Sequence, residues 1–147
     1  MKLDNTVIIV ADVGELKAYE VKKHEDIFNN ELKINYSLEL IDDENFIEGR
    51  KKLQELKSDA NGRINHGSIE EHNVEEEIEK RTLKEVAQDI NTIVQQTNPK
   101  SLFLAFPKES NKELVEKLSQ ETKAVLKKNL ELDLVKADKE KILTHFL

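Results

Sequence analysis

The sequence predicts an α/β protein, a mixed sheet of about five strands that is antiparallel at its start and carries helices on its faces. Three observations predict it. The continuous apolar runs 7–11 and 101–106 have the pattern of strands covered on both faces. Between them, apolar residues over 70–96 recur at three and four, as on a long amphipathic helix. Residues 32–40 alternate with period two, the mark of a half-exposed strand.

Taken in order, Val7-Ile8-Ile9-Val10-Ala11 is a β-branched central strand, and Asp12-Val13-Gly14 is its turn. Leu16, Ala18 and Glu20 alternate with Lys17, Tyr19 and Val21, which predicts a hairpin partner of about eight residues. The polar run 22–30 is expected to turn the chain again. The strand of Leu32, Ile34, Tyr36, Leu38 and Leu40 follows, then Asp42-Asp43-Glu44 and a short helix carried by Phe46, Ile47, Leu53 and Leu56.

The long helix buries Val74, Ile78, Val86, Ile90, Ile93 and Val94, with Thr82 filling one turn, and Asn98-Pro99 closes it. A second central strand, 101–106, stops at Pro107. Ser110 is expected to cap a helix that turns Leu114, Val115 and Leu118 inward. Residues 122–128 fit strand or helix, whereas Leu130, Leu132 and Leu134 alternate as a strand. Asp138 caps a last helix bearing Ile142, Leu143 and Phe146. No repeat or linker divides the chain, so 1–147 reads as one domain.

A chain of 147 residues buries roughly two thirds of its unfolded surface and needs no disulfide. The absence of cysteine removes thiolate nucleophiles and cysteine-based zinc sites. Thirty acidic against 23 basic residues, a formal charge of −7, oppose non-specific attraction to nucleic acid or anionic lipid. The opening apolar run is too short for a signal-peptide core or a membrane span, so a cytoplasmic protein without membrane attachment is expected.

Candidate binding residues cluster in the polar loop 58–68, which holds two of the four glycines. Asn61, Gly62, Arg63, Asn65, His66 and Gly67 are the residues singled out there. Backbone amides and Arg63 suit an anion, but Glu70, Glu71, Glu75, Glu76 and Glu77 crowd the following helix start and repel one. His66 and His72 lack the spacing of a metal motif, so no metal or cofactor is expected. Asp12 follows a central strand, where carboxylates of some nucleases hold magnesium. Such chemistry needs a second convergent carboxylate, and Asp42 and Asp133 lie in turn and surface-strand patterns. Lys123, Lys127 and Lys128 are too few for RNA affinity, and no phosphate-loop or Gly-x-Ser-x-Gly motif is present.

The order of elements and several local strings resemble the bacterial host-attachment protein family, related in fold to the middle domain of archaeo-eukaryotic class 1 peptide-chain release factors. The strings are 7–12 through 16–21, the loop with Asn61-Gly62-Arg63 and Gly67, the helix after it, and Leu102-Phe103-Leu104-Ala105-Phe106-Pro107. The charged C-terminal part, with Leu130-Glu131-Leu132-Asp133-Leu134 ahead of the last helix, is similar to the family's closing strand and helix. The resemblance implies a release-factor-like fold and a translation-linked role. In release factors the corresponding loop carries a catalytic Gly-Gly-Gln tip. Here Ile64-Asn65 stands in its place, so the resemblance does not carry that catalysis over.

The expected function is therefore that of a non-enzymatic interaction protein that contacts the ribosome, RNA or another macromolecule through the 58–68 loop. The alternative is a metal-assisted hydrolase, either a nuclease using Asp12 or a peptidyl-tRNA hydrolase relic. A third reading, a self-assembling subunit, places a second copy of the chain against the strand 32–40, because unpaired edges invite pairing.

Overall fold

The computed structural model describes residues 5–46 and 68–147, with 68–76 described by backbone alone. Among the described residues, five strands form one sheet: β1 (Thr6–Ala11), β2 (Glu15–Phe28), β3 (Glu31–Asn45), β4 (Ser101–Ala105) and β5 (Leu126–Leu130), in the order β3-β2-β1-β4-β5. Strands β1, β2 and β3 are antiparallel neighbours, while β4 runs parallel to both β1 and β5. The sheet is thus mixed and antiparallel at its start, as the sequence predicts. Every residue of β1 is buried, which is why its run is apolar on both faces.

Helices α1 (Ser68–Thr97), α2 (Lys108–Glu116), α3 (Gln120–Val125) and α4 (Lys139–Phe146) complete the described chain. One face of the sheet sets Val7, Ile9, Leu102 and Leu104 against Leu83, Val86, Ile90 and Val94 of α1 and Leu114 of α2. The other sets Ile8, Val10, Tyr19 and Leu38 against Leu134, Ile142 and Phe146. The Phe146 ring stacks on Phe103 with centroids 5.5 Å apart. Asn98, at φ 46°, ends α1 in the left-handed region, and its N–H donates to Val94 O at 2.8 Å. Asp138 caps α4 as expected, accepting from Lys141 N at 2.8 Å.

Four local expectations are corrected. The polar run 22–30 turns the chain only at its very end. Strand β2 continues to Phe28, and the turn is Asn29-Asn30 alone, at φ 53° and 66°. This is the pair of left-handed residues that a two-residue hairpin turn requires, and asparagine tolerates it. Residues 23–28 are exposed on a two-stranded ribbon, so burial imposes no apolar alternation on them. Likewise Asp42-Asp43-Glu44 extends β3 rather than turning.

Helix α2 begins at Lys108 behind Pro107, which makes no side-chain cap, and Ser110 lies inside the helix. Its hydroxyl donates instead to Glu79 Oε1 at 2.9 Å. Finally, Leu130, Leu132 and Leu134 do not form a strand. Strand β5 occupies 126–130, and the chain then crosses the sheet end irregularly so that Leu134 reaches the α4 side of the core. The expected short helix after Phe46 lies outside the described residues. Phe46 itself is buried, and its N–H donates to Gly14 O at 3.0 Å.

Candidate functional site

Three parallel strands, β1, β4 and β5, end on the same side of the sheet, the side where open α/β sheets bind ligands. A crevice of about 260 Å³ opens there. Asp12 and Val13 enter it from the end of β1, Phe106 and Pro107 from the end of β4, and Asp133 from beyond β5. Glu109 and Ser110 of α2 and Glu79 of α1 close it. The crevice is acidic because four of these side chains are carboxylic.

Asp12 does what its position after β1 predicts. Its Oδ1 accepts from Gly14 N at 2.7 Å and Glu15 N at 2.8 Å, holding the β1–β2 turn. Asp133, expected in a surface strand, instead turns to meet Asp12. Burial first, then the Asp12 charge and a hydrogen bond with it, push the Asp133 carboxyl above its ordinary value. The Val135 N–H, which donates to Asp133 Oδ1 at 3.1 Å, and Lys136 pull the other way. One oxygen of each carboxylate accepts from backbone amides, Asp12 Oδ1 from Gly14 and Glu15 and Asp133 Oδ1 from Val135.

Beneath the crevice floor lies a polar anchor that periodicity alone does not single out. Asn111 is buried on α2, where its amide donates to Phe106 O at 3.1 Å, Leu130 O at 3.2 Å and Asn129 Oδ1 at 2.8 Å. It therefore ties the ends of β4 and β5 together. The sequence signal for it is spacing: Asn111 shares the stripe of Leu114, Val115 and Leu118, so an amide has to be buried with them.

The loop residues Asn61, Gly62, Arg63, Asn65, His66 and Gly67 lie outside the described residues, as does the side chain of His72. Among the described residues, no three His, Asp or Glu side chains are grouped as a metal ion requires. Asp42 does not line the crevice with Asp12 and Asp133. It faces Glu44 and Asp89, raising both: Glu44 through its charge first, Asp89 after burial. The lysine group disperses. Lys128 donates to Phe146 O and stands 5.2 Å from the Phe103 ring centroid, while Lys123 donates to Glu116 O at 3.3 Å. His24 bonds Ser37 Oγ at 2.7 Å on the ribbon. No described helix is long and apolar enough to cross a membrane.

The sheet order and acidic strand-end crevice define a mixed α/β protein whose topology joins an antiparallel ribbon to a parallel half. Residues 7–146 match the family described as proteins required for attachment to host cells, and the chain belongs to that family. No curated protein matches it.

Proposed function

We propose that this protein is a non-enzymatic interaction protein of the host-attachment type that works in the cytoplasm by binding a macromolecular partner. The ribosome or its RNA is the partner suggested by the likeness to the release-factor middle domain, and the 58–68 loop is the contacting segment. The observation that carries a binding role is the far end of the β2–β3 ribbon, where Ile27 is 79% and Phe28 is 64% exposed. Large apolar side chains held in water at the tip of a projecting ribbon are what a docking element presents. The acidic crevice repels phosphate, so an RNA contact belongs away from it.

Co-sedimentation with purified ribosomes tests the reading, using the wild-type chain and the Gly62→Ala/Arg63→Ala variant. Binding that the variant weakens supports it. Absent binding, or binding that the variant leaves unchanged, overturns the ribosome contact through this loop.

A second reading, a hydrolase, is favoured by one observation: Asp12 and Asp133 converge at strand ends. It requires turnover of RNA or of peptidyl-tRNA in the presence of magnesium, lost in Asp12→Asn and in Asp133→Asn.

A further inference from the structure

Strand β3 is the outer strand of the sheet and, at 15 residues, one of its two longest. Beyond Glu20, β2 has no described partner but β3, so the ribbon leaves the sheet as two strands alone. Two strands are marginal in water without a covering layer. The Phe28–Glu31 pair closes the turn, and strand alternation from it directs the N–H and C=O groups of Leu32, Ile34, Tyr36, Leu38 and Leu40 to the outer edge. Along the same row, Leu32 is 59%, Ile34 45% and Leu40 45% exposed. Proline is absent from β3, and the register shift that bulges its ladder lies just past Leu40. Residues 32–40 are therefore a regular edge, free of proline and bulges and with no strand beyond it among the described residues.

We propose that this edge pairs antiparallel with β3 of a second copy of the chain, about a two-fold axis at Tyr36, joining the two five-stranded sheets into one. The edge is self-complementary. With Tyr36 opposite its own copy, Leu32 faces Leu40 and Ile34 faces Leu38 on one side of the sheet. On the other side Lys33 faces Glu39 and Asn35 faces Ser37, so opposite charges meet twice by symmetry. Roughly ten backbone hydrogen bonds close the edge in this arrangement.

Neighbouring registers lose this match. Centred on Asn35, the pairing sets Glu31 against Glu39; centred on Ser37, it sets Leu32 against Asp42 and Lys33 against Ile41. A one-residue slip places nearly every apolar side chain of 32–40 opposite a polar one. The pairing is independent of any ribosome contact by the 58–68 loop, and its test reads mass rather than partner binding.

Sedimentation equilibrium of the full chain is the experiment, with circular dichroism confirming that each variant is folded. The wild-type protein is expected at twice 17.0 kDa in the micromolar range. Ile34→Lys and, separately, Lys33→Glu are expected to weaken the dimer by about tenfold or more, and Glu39→Lys added to Lys33→Glu is expected to restore most of that loss. A wild-type chain that stays at 17.0 kDa up to about 100 μM overturns the proposal and leaves the edge to a strand from another protein. A dimer indifferent to both single substitutions, or one that the charge exchange does not restore, overturns it equally.

Discussion

Asn111 and Asn129 exchange amide hydrogen bonds, Nδ2 of each donating to Oδ1 of the other at 2.8 and 2.7 Å. The exchange joins α2 to the end of strand β5, and Asn111 also reaches the carbonyls of Phe106 and Leu130. A buried carbonyl stripped of its donor keeps its desolvation cost. Asn111→Ala is therefore expected to destabilise the fold by about 2–4 kcal/mol, measured by urea unfolding, whereas Asn129→Ala, on an exposed residue, costs less.

The Asp133 carboxyl titrates above its ordinary value, so the folded chain keeps that proton to higher pH than the unfolded chain does. Between the two values the folded state binds more protons, and stability falls as pH rises. Below the unfolded value the penalty is absent; above the folded value it is complete. Asp133→Asn still accepts from Val135 N but removes the charge. It is expected to abolish this segment of the stability profile and to match or exceed the wild type at neutral pH, read from unfolding free energies between about pH 3 and 8.

Thr82 is buried on α1, and its hydroxyl has no hydrogen-bond partner among the described residues. Valine keeps the branched shape and discards the unsatisfied group. Thr82→Val is expected to stabilise the chain by about 1 kcal/mol, seen as a higher thermal midpoint.

Phe146 anchors the last helix by stacking on Phe103, and it is almost fully buried. Truncation leaves a cavity between α4 and the sheet. Phe146→Ala is expected to cost about 3–5 kcal/mol in chemical denaturation and to raise amide exchange across 139–146 ahead of the β1–β4 centre.

Elements that carry their own periodicity are legible in the sequence itself. The uninterrupted apolar runs mark β1 and β4, the three-four spacing marks α1, and Asp138 marks the start of α4. Asp12 is also readable as a turn residue, because a side chain that accepts from amides two and three residues ahead of it acts locally. The acidic crevice is not legible in this way. Asp133 has the pattern of a surface-strand residue because Leu130, Leu132 and Leu134 alternate, yet Leu134 is pulled into the core beside Ile142 and the chain bends there.

Local sequence alone determined which segments are buried on both faces, which helix is amphipathic and where several chain reversals fall, since each depends on neighbours within a few residues. Only the tertiary structure decided how far β2 runs past its sheet, which strand end Asp133 approaches and what Asn111 holds. Those outcomes arise from contacts between segments distant in the chain, where side-chain packing and the pairing of buried polar groups choose among local conformations that the sequence leaves nearly equal in energy.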